Sequence, residues 1–306
     1  MRQRSPVKQA FILGAGLGTR LRPLTDRLPK PLVPLFHRPL AEWTMAACAR
    51  AGVRRFAVNT HHLPGEWRRF TSRAGIRNLD ITMFHEPVLL ETGGGLKNIE
   101  PWIGDEPVLV HNGDIFSTLH LDKLIAAHHA SGLPVTLALR SDGAEKRIAL
   151  DASRTRVTDV RNELGVAKGT HVFSGIYCAN PQVLGMIPPA EKVSIIPAFL
   201  ALAAQGLLGA VVLDEGVWLD LGDRESYLQA HRDLTLGPAI HPDSTVKSGA
   251  SVENSIVGPG AVIETGAVVR DSVVWPGGRV AGNAVLDRCI VCSSEKVAGI
   301  HQNQDL

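Results

Sequence analysis

Ile256, Val262, Val268, Val274, Val280 and Leu286 fall six residues apart without a gap. A second apolar series, Val257, Ile263, Val269 and Trp275, runs one place behind the first. Glycine, proline and aspartate fill the corners, as in Gly258-Pro259-Gly260, Glu264-Thr265-Gly266 and Asp271-Ser272. A period of six fits neither the 3.6-residue turn of a helix nor the two-residue alternation of a strand. It fits short strands coiled three to a turn, a hexapeptide β-helix. Ile240, Val246 and Val252 begin the series in a shifted register, and the slip before Ile256 predicts an irregular turn. About three coils are available, few for a free-standing solenoid, so this tail is expected to pack on another domain or a partner.

Before about residue 236 the periodicity is different. Strands are predicted at Gln9–Gly14, Arg54–Thr60 (with Phe56 and Val58 alternating), Leu79–Phe84, Pro107–His111 and Val135–Arg140. Helices are predicted at Leu40–Ala51, Pro64–Arg73, Gly93–Ile99 and Leu121–Ala130. This alternation argues for an α/β domain, a mostly parallel Rossmann-like sheet with helices on both faces. The chain is therefore expected to divide into residues 1–236 and 237–306. In such sheets ligands sit beyond the carboxyl ends of the strands, where several motifs of this chain fall.

The first of these motifs is Phe11-Ile12-Leu13-Gly14-Ala15-Gly16-Leu17-Gly18-Thr19-Arg20, with Arg22-Pro23 and Pro29-Lys30-Pro31 following. Glycines let backbone N–H groups close around phosphate oxygens, and Arg20, Arg22 and Lys30 add positive charge. The spacing is Gly-x-Gly-x-Gly, not the Gly-x-Gly-x-x-Gly of a dinucleotide fold, and no Gly-Lys-Ser/Thr follows. The net charge of the 306 residues is only +2, so these cations mark a local anion site, with no general pull toward nucleic acid or membrane. No apolar run reaches the ~20 residues of a membrane-spanning helix, and a cytoplasmic protein is expected. Met1-Arg-Gln-Arg followed by an apolar run imitates a secretory signal, but Gln9–Leu13 is short and runs into the glycine loop.

Asp114 closes Asn112-Gly113-Asp114 after a predicted strand, and Asp220 lies in Trp218-Leu219-Asp220-Leu221-Gly222 at another strand end. Magnesium takes one or two protein carboxylates and leaves positions for phosphate oxygens and water. With the glycine loop, the two aspartates read as Mg²⁺ ligands facing a triphosphate. Cys289-Ile290-Val291-Cys292 has the spacing of a redox or zinc pair, but without a second pair it reads as packed, reduced thiols. The doublets His61-His62 and His128-His129 read as surface or loop residues.

Taken together, Gly14–Pro23 with Leu24-Thr25, Pro29–Pro34, Asn112–Asp114 and Trp218–Gly222 resemble the sugar-1-phosphate nucleotidyltransferases. The resemblance spans Phe11–Leu234 and implies that Arg20 and Lys30 serve catalysis by holding the triphosphate and the sugar phosphate near the α-phosphorus. It places Gly14, Ala15, Gly16, Gly18, Thr19, Glu86, Thr92 and Gly93 at the nucleotide, Asn112, Ser174 and Gly175 at the sugar, and Asp114 and Asp220 at Mg²⁺. It also implies a left-handed β-helix tail, in agreement with the hexads. The substrates would be an NTP and a sugar 1-phosphate, giving an NDP-sugar and pyrophosphate.

Glu91-Thr92-Gly93-Gly94-Gly95 with Phe173–Ile176 is similar to the N-acetylmuramate-1-phosphate uridylyltransferases, whereas the tail and Tyr227–Asp233 resemble the mannose-1-phosphate guanylyltransferases. An ionised Glu86 facing the base would accept from uracil, thymine or guanine N–H groups; a solvent-facing Glu86 is the alternative. Many relatives carry Glu-Lys-Pro near the sugar phosphate; here Glu163-Leu164-Gly165 and the separate Lys168 stand in its place. A non-catalytic nucleotide-sugar sensor would have lost basic or acidic motifs, and all four key residues are present. Acetyl transfer by the tail is disfavoured because no histidine lies inside the hexads and His301 falls beyond them. The tail is instead expected to mediate homo-oligomer formation through its open strand edges.

Overall fold

The computed structural model describes residues 7–306 apart from Ala74 and Arg77, so Met1–Arg4 lies outside the described residues. The chain forms two compact units. One runs up to Leu17 and resumes over Ala41–Trp218; the other joins Gly18–Leu40 to Leu219–Leu306.

The first unit is built on seven strands: β1 Gln9–Leu13, β2 Arg55–Thr60, β3 Asp80–His85, β4 Val108–Asn112, β5 Val135–Arg140, β6 Val172–Ala179 and β7 Leu208–Val212. Their order in the sheet is β7-β5-β6-β4-β1-β2-β3. β1 runs parallel to β2 and β4, β2 to β3, and β5 to β7, while β6 is antiparallel to β4 and β5. The mostly parallel sheet is thus present. The alternation expected in β2 is not: Phe56, Ala57 and Val58 are all buried. Parallel strands covered on both faces need apolar residues at every position, which hides the period of two.

Helices α1 (Leu40–Arg50), α2 (Pro64–Thr71), α3 (Glu91–Asn98), α4 (Leu121–Ser131) and α5 (Ile196–Ala204) accompany this sheet. Leu96 and Ile99 at the end of α3, with Phe199 and Leu202 of α5, pack with Phe11, Val110, Leu137 and Tyr177. α4 covers the other face, where His128 Nδ1 lies 3.0 Å from Thr136 Oγ1, one residue out of phase with Leu137. His128 is therefore a buried helix residue, contrary to its reading as surface or loop. β6, β7 and α5 have no counterpart among the predicted elements. The reason in β6 is a local interruption: the pairing slips between Phe173 and Tyr177, and Gly175 has a φ of 75°.

The second unit carries the coils. Thr245 pairs with Val262, Val262 with Arg279 and Arg279 with Lys296, all in parallel, a constant step of 17 residues. The same step relates Ser251 to Val268 and Ile256 to Val273. Three small sheets of four, four and three strands result, as a triangular β-helix requires. A step of 17 corrects the unbroken six-residue series, because one side of each coil is a residue short. The core is lined by Val257, Ile263 and Val269, then by Val274, Val280 and Leu286, then by Val291. Each of the two apolar series thus supplies the core for part of the way.

The short side is fixed by a repeated corner. Asn254, Asp271 and Arg288 occupy left-handed backbone at φ 45°, 46° and 52°. The next residues, Ser255, Ser272 and Cys289, are buried and stack: Ser272 N donates to Ser255 Oγ at 3.0 Å and Cys289 N to Ser272 Oγ at 2.9 Å. Cys289 continues a serine ladder, its thiol directed to Asp287 O at 3.3 Å, and all four cysteines are free. The last step shortens to 15 residues, Val285 pairing with Ile300. His301 consequently lies inside the final coil opposite Leu286, not beyond it, with its ring nitrogens on Gln304 Oε1 and Ala298 O.

Helix α6 (Arg224–Asp233) ties Gly18–Leu40 to the coils within this unit. Asp223 caps it, accepting from Ser226 N at 2.9 Å. Tyr227 Oη donates to Pro34 O at 2.6 Å and accepts from Trp275 Nε1 at 2.9 Å. Arg224 Nε pairs with Asp305 Oδ1 at 2.8 Å.

Candidate active site

In the first unit the carboxyl ends of the parallel strands lie along one edge. Leu13 sits opposite Asn112, and Gly113 N donates to Leu13 O at 3.1 Å, so the glycine loop and the Asn112–Asp114 turn leave adjacent strands side by side. Gly14 is required by crowding: a Cβ there would lie 2.7 Å from the Trp67 ring and 2.8 Å from Asn59 O. Its N–H donates to Asn59 Oδ1 at 2.7 Å, so this amide is bound inside the protein. Ala15 is buried, whereas Gly16 is exposed with open space on its Cβ side. The part of this turn open to an anion is therefore Gly16 and Leu17.

Glu86 is buried, which overturns the solvent-facing alternative. Its Oε1 accepts from Asn59 Nδ2 at 2.8 Å and its Oε2 from Leu90 N at 3.0 Å, so both oxygens are bound within the protein. Gly93 is also committed internally: its N–H and that of Gly94 both donate to Val193 O at 2.9 Å. Thr92 Oγ1 accepts from Ile195 N at 3.0 Å. Gly93 and Gly94 thus let α3 press against the chain around Val193.

Asn112 and Gly175 meet across β4 and β6, since a Cβ on Gly175 would lie 2.7 Å from Asn112 Nδ2. Ser174 does not join them. It is fully buried, and its hydroxyl donates to Ala138 O at 2.7 Å, so its side chain cannot line a sugar pocket. The interruption at Gly175 turns Ser174 inward, where its own carbonyl accepts from Trp218 Nε1 at 2.8 Å. Asp114 is half-buried just past Gly113. The neighbouring His111 is fully buried, and burial lowers its pKa to about 4.

The second unit assembles the charged residues of the other motifs. Thr19 and Arg20 are exposed after Gly18, which takes a left-handed φ of 62°. Lys30 Nζ lies 3.9 Å from Asp220 Oδ1, with 9% of the lysine side chain exposed against 47% of the aspartate. The ammonium is thus embedded, and the carboxylate presents oxygen to solvent. Arg20 lies over Gly222, where a Cβ would come 2.8 Å from Nη2. Asp223 is held below the usual carboxylate range by the Ser226 backbone N–H, with the Arg20 guanidinium adding to the effect. One unit therefore gathers Arg20, Lys30 and Asp220 from opposite ends of the sequence.

Among the described residues no three His, Cys, Asp or Glu side chains gather as a metal site. Zinc sites usually draw three or four protein ligands, whereas a hard dication completing its shell with phosphate oxygens needs only one or two carboxylates. Asn59 escapes sequence reasoning, whereas Gly222 falls within the Trp218–Gly222 motif read there. Asn59 carries one signal, a lone amide closing an apolar run.

Comparison with known proteins agrees with this architecture. A family profile described as nucleotidyl transferase matches residues 9–236, and one described as GlmU-like, C-terminal hexapeptide matches residues 231–303. A mannose-1-phosphate guanylyltransferase of Mycobacterium tuberculosis is 28% identical over 256 residues, covering 79% of this chain and 71% of that protein. An N-acetylmuramate alpha-1-phosphate uridylyltransferase of Neisseria meningitidis serogroup B is 29% identical over 218 residues, covering 70% and 93%. A UDP-glucose pyrophosphorylase structure from Acinetobacter baumanii superimposes with a TM-score of 0.64 at 17% identity, covering 73% of this chain and 92% of that one, which shows a shared fold.

Proposed function

The chain belongs to the nucleotidyl transferase family, and we propose that it joins an NTP to a sugar 1-phosphate, releasing pyrophosphate. The observation that carries this reading is the cluster of Arg20, Lys30 and Asp220 in one compact unit. In the reaction a sugar-phosphate oxygen forms a bond to the α-phosphorus, and the bond from that phosphorus to the bridging oxygen of pyrophosphate breaks. The attacking oxygen is already anionic, so no general base is required. Catalysis then consists of positioning and charge neutralisation. Lys30, embedded beside Asp220, offers a fixed positive charge to the α-phosphate, and Arg20 binds the outer phosphates that leave. Gly16 gives the nucleotide an unobstructed backbone, and Asn112 with Gly175 meets the sugar.

Asp114 and Asp220 would hold Mg²⁺. When bound, the ion neutralises charge on the phosphates. Asp114→Asn tests this assignment: turnover is expected to fall at least about a hundredfold, and near-normal Mg²⁺-dependent activity would overturn it.

UTP with an amino-sugar phosphate of the N-acetylmuramate type is the favoured pair. The relative named for that reaction is covered over 93% of its length. GTP with mannose-1-phosphate is the second reading, supported by the guanylyltransferase relative, which covers 79% of this chain. Pyrophosphate release with each NTP against N-acetylmuramate-, mannose- and glucose-1-phosphate decides between them. No release from any pair would overturn the reaction itself. The free thiols and the nucleotide substrate fit a cytoplasmic setting. No helix of the described residues is long and apolar enough to cross a membrane. The strand edges of the coils are the proposed self-association surface, to be checked by the mass in solution.

A further inference from the structure

Four groups in the first unit form an unbroken hydrogen-bonded chain. Gly14 N–H donates to Asn59 Oδ1 at 2.7 Å. Asn59 Nδ2 donates to Glu86 Oε1 at 2.8 Å. Leu90 N–H donates to Glu86 Oε2 at 3.0 Å. Asn59 and Glu86 are 2% and 1% exposed, so water does not compete for these bonds. The chain begins at the first residue of the glycine loop and ends at the residue preceding α3.

The surroundings keep the two side chains in place. Glu86 N donates to Thr60 O at 2.7 Å, fixing the carboxylate at the end of β3 beside β2. A Cβ at position 95 would come 2.9 Å from Asn59 Nδ2 and 3.0 Å from Glu86 Oε1, so only glycine lets α3 close over the pair. The Trp67 ring closes the other end against Gly14. Asparagine suits the central place because it accepts on one side and donates on the other, and a carboxylate suits the end because it accepts twice.

We infer that Asn59 and Glu86 are positioning residues, a buried strut that holds the phosphate-binding turn at Gly14 and the turn at Leu90 in one rigid frame. The inference rests on the proposed nucleotidyl transfer, in which the Gly14–Leu17 turn meets the NTP. Neither side chain touches the substrate; each acts through the backbone amide it holds. A frame set before the nucleotide arrives spares the ordering of both turns on binding. Losing a link lets them move independently and weakens nucleotide binding more than it slows chemistry.

Glu86→Gln is the sharper test, because it preserves shape and one acceptor while removing the other. Amide hydrogen exchange read residue by residue, with steady-state kinetics on the same protein, provides the readout. In Glu86→Gln, exchange at both Leu90 and Gly14 is expected to rise about tenfold, and KM for the NTP about five- to tenfold, with kcat within about twofold. Asn59→Ala should do the same at Gly14, and the double variant should be no worse than Asn59→Ala alone, because a cut chain cannot be cut again. Unchanged exchange at Gly14 in Glu86→Gln, or multiplying effects in the double variant, would overturn the strut. Faster exchange with an unchanged KM would overturn its role in positioning. A wild-type protein that releases no pyrophosphate would overturn the functional reading instead, and exchange at Gly14 would still judge the strut.

Discussion

His231 makes the second unit sensitive to acid in a calculable way. The ring is buried between Phe36, stacked at 5.6 Å, and Tyr227, edge-on at 4.4 Å. Its Nε2 accepts from Phe36 N at 3.0 Å, and its Nδ1 lies 2.8 Å from Tyr227 O. The fold therefore specifies the neutral imidazole with the proton on Nδ1, and a second proton on Nε2 would face the Phe36 N–H. Burial lowers this pKa to about 4, against about 6.5 in the unfolded chain. Because the folded value is the lower one, the unfolded state binds the proton first. Stability is then complete above about pH 6.5, falls as pH drops toward 4 and loses nothing more to this group below that. At about 1.4 kcal/mol per pH unit the total loss is about 3 kcal/mol. His37, also lowered chiefly by burial, adds in the same direction. Trp275 is the one tryptophan of this unit, so its indole resonance reports the unit's urea unfolding at stepped pH. His231→Gln should be less stable at pH 7 and should lose most of the slope between pH 6.5 and 4.5. A variant that keeps the full slope would refute the assignment to His231.

Tyr227→Phe removes the donor to Pro34 O and leaves the buried Trp275 indole N–H without its acceptor, so urea unfolding should show a loss of about 3 kcal/mol. Gly222→Ala places a methyl group against the Arg20 guanidinium; kcat/KM should fall about tenfold or more while Tm changes little. Ser272→Ala interrupts the corner ladder and should cost about 1–3 kcal/mol in the same unfolding measurement. Cys289→Ser continues that ladder and should keep both fold and activity; loss of bound zinc or of turnover on this change would instead give the Cys289/Cys292 pair a chemical role.

Elements whose pattern is carried by several residues in a row were legible in the sequence, and those defined by one residue's environment were not. β1, β4 and β5 are apolar runs closed by a turn or a charged residue, and α1 ends before Gly52, so their extents followed from composition alone. The coils announced themselves by recurrence. Their true step of 17 stayed hidden because two staggered apolar series offered a plausible inward side chain on either side of each short turn. β6 was illegible because Ser174-Gly175 interrupts it, and that interruption also decides that Gly175 faces Asn112 while Ser174 turns into the core. The charged residues of the proposed site could be picked out by type, since Arg20 and Lys30 follow the glycine loop and Asp220 stands beside Gly222 in the sequence. Glu86 could not, because whether a carboxylate faces ligand or protein depends on Asn59, 27 residues earlier in the chain.

The discontinuous second unit sets an order of events during synthesis. Pro34 leaves the ribosome early, yet its carbonyl waits for the Tyr227 hydroxyl 193 residues later, and Phe36 N waits 195 residues for His231. Arg20 and Lys30 likewise cannot meet Gly222 and Asp220 until more than two thirds of the chain has emerged. Contacts so distant in sequence close slowly. While translation proceeds, Gly18–Leu40 is a nascent segment whose cations lack these partners, and the cluster can assemble only once Asp220 and Gly222 have been made.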